Sequence, residues 1–362
     1  MSLSESTLLA ALGAVIDPST GRDFVSTKQL KNLRLSGTSV SFDVDVPYPA
    51  QSQWPIWAEA FTQAARSVGA QQVTPHFKTQ IVAHTAQRGV PLLPDVKNII
   101  AVASGKGGVG KSTTSANLAL ALAAEGARVG ILDADIYGPS QPMMMGLSGR
   151  PESPDGKMMT PLKSHGVQVN SIGFLVDEDA PLIWRGPMAV QALDQLLRQT
   201  AWDDLDYLIV DMPPGTGDIQ LSLSQRVPLT GAVIVTTPQD IALLDAQRGL
   251  RMFEKVNVPL LGIVENMAVF HCPKCGHEEH LFGADGGRRM AEQHGLDLLG
   301  SLPLALHIRE ETDSGAPTVV SAPHSDAAGL YKSVARRLAV KIAGLAKDYS
   351  SKFPTITVSS KT

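Results

Sequence analysis

Asn98-Ile-Ile-Ala-Val-Ala-Ser-Gly-Lys-Gly-Gly-Val-Gly-Lys-Ser112 is the stretch on which the fold turns. It starts as a continuous β-rich apolar run, passes through a glycine loop and opens a helical pattern over Ser112–Glu125. Gly105 to Ser112 satisfies G-x-x-x-x-G-K-S/T, and a strand before with a helix after is the context in which that pattern binds phosphate. Gly107, Gly108 and Gly110 let the backbone approach oxygens closely and take positive φ where required. The loop N–H groups and the positive end of the helix then form a nest for phosphates. The expected ATP-binding set is Gly105, Lys106, Gly107, Gly108, Val109, Gly110, Lys111, Ser112 and Thr113. Lys111 should reach the β/γ-phosphates, and the Ser112 hydroxyl should ligate Mg²⁺.

Further near-continuous apolar runs follow at Arg128–Leu132, Tyr207–Val210, Ala232–Thr236 and Leu261–Val264, most of them separated by helical patterns. Such strands alternating with helices imply an α/β fold, a P-loop NTPase with a mostly parallel sheet flanked by helices and buried on both faces. Two of the strands run into carboxylates. Arg128–Leu132 leads into Asp133-Ala-Asp135-Ile-Tyr-Gly-Pro-Ser140, and Tyr207-Leu-Ile-Val-Asp211 ends in the Walker B arrangement. Phosphoryl transfer demands charge neutralisation and an aligned nucleophile more than covalent chemistry, so carboxylates placed here have work to do. Asp211 is expected to hold Mg²⁺ through water. Met212–Asp218 reads as a switch that senses the γ-phosphate.

Upstream, residues 1–90 read as a small α+β domain. Leu8, Leu9, Leu12, Val15 and Ile16 suggest one face of a helix stopping at Asp17-Pro18. Val40, Phe42, Val44 and Val46 alternate with Ser41, Asp43 and Asp45 as in a half-buried strand. A helix through Trp57, Phe61 and Val68 and a last strand over Gln71–Phe77 follow. The Pro- and Gly-bearing stretch Arg88–Asp95 marks a linker, assigned to 91–97; the ATPase domain is then 98–348, and the Ser/Thr/Lys-rich tail 349–362 is expected to be disordered. The net charge of -4 gives no general attraction to nucleic acid or an anionic membrane. No apolar run reaches the length of a membrane span. The N-terminus lacks a basic n-region, which points to the cytoplasm.

Lys106, a second lysine at the start of the loop, makes the chain resemble the deviant-Walker ATPases: MinD, ParA, the nitrogenase iron protein and the Mrp/ApbC carriers. Within that group Asp133–Ser140, Ile183–Met188, Asp211–Asp218 and Gly262–Met267 are similar to the Mrp/ApbC branch of iron–sulfur carrier ATPases. The likeness spans about residues 95 to 345, and residues 1–90 resemble the small cluster-assembly domain often fused to bacterial Mrp proteins. The resemblance implies that Lys106 reaches across a homodimer to the partner's nucleotide. It also implies that Asp133 supports the magnesium shell and that Asp135 positions the attacking water. Lys106, Lys111 and Asp135 are thus the catalytic candidates. Asn266 matches the base-contacting asparagine, and Pro303 lies where the family closes over the base.

His271-Cys272-Pro-Lys-Cys275-Gly276 holds both cysteines of the chain. Too few for a disulfide framework, they suit a soft metal in a reducing compartment. Read alone, the pair is half of a four-thiolate set. It is open to a cluster, to zinc between two chains, to zinc with His277 or His280 in one chain, or to no metal. The resemblance implies a [4Fe–4S] cluster bridging two protomers, delivered to apoproteins or received from a scaffold. A MinD/ParA-like positioning ATPase and a reductase like the nitrogenase iron protein are the rival functions. Leu330–Lys347 is a basic amphipathic stretch that such a membrane-positioning role would use, although helices of this kind usually pack on the sheet.

Overall fold

The computed structural model describes residues 3–84, 90–176 and 186–347. Ile183, Trp184 and Arg185, the expected tail 349–362, and Arg88 and Gly89 beside the expected linker lie outside them.

The small N-terminal region runs α1 (Glu5–Leu12), β1 (Ile16–Asp17), β2 (Arg22–Asp23), β3 (Leu30–Ser36), β4 (Ser39–Val46), α2 (Trp54–Arg66) and β5 (Gln72–Thr79). β4 is central, antiparallel to β3 and parallel to β5. The alternation in β4 does what its sequence implies: Val40, Phe42, Val44 and Val46 are buried under α2. Phe61 of α2 meets the rings of Phe24 and Phe42 edge-on, each at 5.2 Å between centroids, a geometry the ring quadrupoles favour. The first helix is shorter than its apolar spacing suggests. It ends at Leu12 on the Gly13 cap, Val15 lies in the loop, and Ile16 is half exposed at the start of β1. Gly13 breaks the helix before the Asp17-Pro18 signal is reached.

The larger region runs β6 (Val96–Ala103), α3 (Lys111–Ala124), β7 (Val129–Asp133), α4 (Gln141–Met144), β8 (Leu162–Ser164), β9 (Val167–Ser171), α5 (Gly186–Arg198), β10 (Leu205–Asp211), α6 (Asp218–Arg226), β11 (Gly231–Thr236) and α7 (Asp240–Lys255). It continues with β12 (Leu260–Glu265), β13 (Phe270–His271), β14 (Glu278–Glu279), α8 (Gly286–Gln293), β15 (Leu298–Ser301), α9 (Leu306–Asp313), α10 (Thr318–Ser321) and α11 (Asp326–Ala343). Eight strands form one sheet in the order β15-β12-β11-β6-β10-β7-β9-β8, parallel throughout except β8 against β9. β6 begins at Val96, two residues before the expected domain start, because Val96 is buried and pairs with Leu205.

Successive β6 side chains serve opposite faces. Ile100 and Val102 pack under α3 and α11, while Ile99, Ala101 and Ala103 face the layer of α5, α6, α7 and α8. Tyr331, Val334, Leu338 and Ile342 bury the apolar stripe of α11 in this way, so the basic amphipathic stretch is a sheet-packing helix. The core of the N-terminal region is continuous with the α3/α11 layer. Hydrogen bonds to a buried carboxylate, itself paired with Arg336 of α11, cross that junction. Glu125, at the C-terminal end of α3, accepts hydrogen bonds from Ser52 N (2.9 Å), Ser52 Oγ (2.7 Å) and Arg336 Nη1 (2.5 Å).

Candidate functional site

The sheet topology assembles the site, because three neighbouring strands, β6, β10 and β7, end at the same edge. The glycine loop follows β6, and Asp211 of β10 pairs in register with Asp133 of β7. Equal register in parallel strands turns both carboxylates to the same side. The loop itself carries left-handed backbone at Gly108 (φ 80°) and Gly110 (φ 79°). At Gly105 the demand is spatial, since a Cβ there would lie 2.1 Å from the Asp245 carbonyl carbon of α7. Loop and flanks enclose a cleft of about 270 Å³ lined by Lys106, Lys111, Ser112, Thr113, Asp135 and Ser140 among others.

Lys111, only 6% exposed, places Nζ 2.6 Å from Asp211 Oδ1, 3.1 Å from Ser112 Oγ and 4.0 Å from Asp135 Oδ2. Asp211 is fully buried and accepts two further hydrogen bonds, from Ser115 Oγ (2.9 Å) and Gln141 Nε2 (2.9 Å). Asp133 accepts from the Asp135, Ser140 and Gln141 amides and from Ser171 Oγ, all at 3.0–3.1 Å. Burial, reinforced by the Asp211 charge, pushes the Asp133 carboxyl up. Burial also raises Asp135, against the pull of Lys111. Ser112, Asp133 and Asp211 form a hard oxygen donor set of the kind Mg²⁺ prefers. Two buried oxygens beside them, Ser140 Oγ and Gln141 Oε1, have no hydrogen-bond partner. A hydrated cation would satisfy such atoms, so the residues present fit magnesium.

Asn266 is buried against the loop, with Nδ2 donating to the Val109 carbonyl at 2.9 Å and lying where a Gly110 Cβ would be. Pro303 is brought beside it, because Ala268 N donates to the Leu302 carbonyl and Leu304 N to that of Val269. Of the two expected base-site residues, Asn266 touches the loop itself.

Cys272 and Cys275 sit at the tip of the β13–β14 ribbon, half-exposed and exposed respectively. Cys272 N donates to the His277 carbonyl and Gly276 N to that of Cys272, with Gly276 left-handed at φ 71°. The turn aims the Lys274 and Cys275 amides at the Cys272 sulfur and lowers its pKa, favouring the thiolate that binds metals. His277 Nε2 faces Glu279 at 3.1 Å, and His280 Nδ1 faces the Ala268 carbonyl at 2.8 Å. Among the described residues no group of three or more His, Cys, Asp and Glu side chains converges to hold a metal. The one-chain zinc site with His277 or His280 is not assembled.

Residues 95–339 match the family described as NUBPL iron-transfer P-loop NTPase. The chain belongs to this family. Residues 5–74 match a second family, described as iron-sulfur cluster assembly protein. An iron-sulfur cluster carrier protein of Haemophilus influenzae is 50% identical over 90% of this chain and 88% of its own. The iron-sulfur cluster transfer protein NUBPL of Mus musculus is 57% identical over 71% and 81%. Among solved structures, the ADP-bound nucleotide-binding protein of Archaeoglobus fulgidus is 38% identical, covers 61% of this chain and 87% of its own, and superposes with a TM-score of 0.55. MinD of Pyrococcus furiosus, at 23% identity and a TM-score of 0.50 over 67% and 98%, shares the fold.

Three residues of this NTPase site escape motif reading: Ser115, Gln141 and Ser171. Ser115 had a usable signal, since it lies one turn after Lys111 and so shares its helix face. Gln141 follows directly on the Asp133–Ser140 segment. Ser171 reaches Asp133 only through the β7–β9 pairing, which no local pattern announces.

Proposed function

We propose that this chain is an ATP-hydrolysing carrier that holds a [4Fe–4S] cluster between two protomers and passes it to apoproteins. The observation that carries the reading is the cysteine ribbon: two solvent-facing sulfurs, one favoured as thiolate, with no third ligand from the same chain among the described residues. Two thiolates are half of what such a cluster takes, so a second copy completes the set on a two-fold axis. The names of the relatives support the cargo, and the cleft supports the nucleotide.

In the nucleotide cleft, the loop amides and Lys111 bind and neutralise the β- and γ-phosphates. Ser112, Asp133 and Asp211, directly or through water, would hold magnesium, which would neutralise charge on the phosphate oxygens. Phosphate oxygens compete with Asp211 for the Lys111 ammonium, which couples nucleotide binding to the Walker B carboxylate. Asp135 orients the attacking water and accepts its proton. Lys106, at the mouth of the cleft, serves the partner's nucleotide, while Asn266 and Pro303 receive the base.

Anaerobic reconstitution tests the reading. The protein should gain a broad absorbance band near 400 nm and about four iron atoms per dimer, both lost in Cys272→Ser and in Cys275→Ser, while ATP binding stays. A full iron complement in a variant lacking both cysteines overturns it, as does zinc in place of iron after anaerobic purification.

A further inference from the structure

Gln141 is fully buried at the first position of α4, and it joins three parts of the site. Its backbone N–H donates to Asp133 Oδ2 at 3.0 Å. Its side-chain Nε2 donates to Asp211 Oδ2 at 2.9 Å and to the Ser112 carbonyl at 3.1 Å. Both neighbours of Nε2 are acceptors only, so the amide cannot be turned over and Oε1 must point the other way. Oε1 is buried there without a donor, and the adjacent Ser140 Oγ is likewise unpartnered. A buried acceptor left unpaired costs about 1–3 kcal/mol, so the protein gains little by keeping one unless something supplies the donor. What donates to Oε1 must also be compatible with the carboxylates of Asp133 and Asp211 close by. A water carried by a divalent cation meets that requirement, because coordination to the metal strengthens it as a donor.

We propose that Gln141 is a positioning residue of the magnesium site. Its amide N–H₂ clamps Asp211 to the Ser112 carbonyl, and its Oε1 accepts a hydrogen bond from the metal's water shell, with Ser140 Oγ as a second contact. The inference rests on the nucleotide and magnesium reading above and adds a residue that no phosphate-loop or Walker motif contains. Partners at this remove from the metal set affinity by orienting its ligands, and their loss costs roughly 10–100-fold.

The test is ADP binding by titration calorimetry, with excess Mg²⁺ and again with a chelator. In Gln141→Met, which keeps length and apolar volume, the Kd without metal should stay within about twofold of the parent. The strengthening of binding by Mg²⁺ should shrink by about tenfold. A merely structural pin would instead weaken both measurements alike, and that result overturns the proposal. So does a Gln141→Met protein with the parent's full Mg²⁺ dependence. Should Gln141→Met fail to fold, Gln141→Ala is read in the same way. If the unsubstituted protein binds ADP in neither condition, the nucleotide reading itself fails.

Discussion

Replacing Glu125 by alanine strikes the junction between the N-terminal region and the NTPase, far from any nucleotide group. The carboxylate is 1% exposed and faces Arg336, itself 17% exposed, and both donors of Ser52. Removing it leaves a guanidinium without its partner and two donors without their acceptor. Breaking a buried pair costs about 3–5 kcal/mol. Ser52 is exposed and Arg336 partly so, and water re-solvates both, which places the expected loss at the lower end, about 3 kcal/mol. A domain of this size shifts in melting temperature by about 2–4 °C per kcal/mol, so a drop of roughly 6 °C or more is expected by calorimetry. Glu125→Gln retains an acceptor for Ser52 and should lose about half as much. Both variants should keep the parent's ADP affinity. A melting temperature within about 1 °C of the parent for Glu125→Ala would refute the reasoning.

Lys111→Ala removes the buried cation among Asp211, Asp135 and the phosphates, and ATP turnover should fall to background; normal turnover in a phosphate-release assay contradicts the site. Asp135→Asn keeps size and polarity but loses the charge that holds the water, so ATP should still bind while hydrolysis drops by about 10²–10⁴. Gly105→Ala places a methyl group against the α7 backbone, and a folded protein with unchanged urea midpoint would disprove the close approach. His84 is buried, its Nδ1 paired with Asn98 Oδ1 and its Nε2 unpartnered, and burial, with Lys347 nearby, lowers its pKa. A folded-state pKa below the unfolded value means that protonation favours unfolding. The stability this group contributes is therefore present above about pH 6.5 and lost as pH falls below it. The urea midpoint of the parent should fall more steeply from pH 7 to 5 than that of His84→Gln.

The phosphate loop and both carboxylate-ended strands are legible in the sequence because each is a local signal: an apolar run, then a fixed spacing of glycines or a terminal aspartate. Legibility fails where partners come from elsewhere in the chain. β9 reads poorly on its own, as VQVNS mixes polar residues into a strand that is buried only because β7 and β8 flank it. Gln141 and Ser171 meet Asp211 and Asp133 across 70 and 38 residues of sequence. β3 shows no clean alternation, since a register shift between Lys31 and Arg34 interrupts its pairing with β4. The helix predicted through Ile16 fails for a nearer reason, a glycine cap that outweighs the apolar spacing.

The cysteine ribbon has little apolar packing of its own. Its two strands are two residues each, and Pro273 to Leu281 are all exposed. An element held by a few backbone hydrogen bonds opens at small free-energy cost, so its amides should exchange with solvent quickly and its tip should be an early site of protease cleavage. Four sulfur–iron bonds joining two such tips would abolish that opening. Cluster occupancy therefore has a second, colourless signature: deuterium uptake and proteolysis across residues 270–281 should be suppressed on loading and return when the cargo leaves. Delivery, on this view, ends with two ribbons set loose at the moment the recipient takes the cluster.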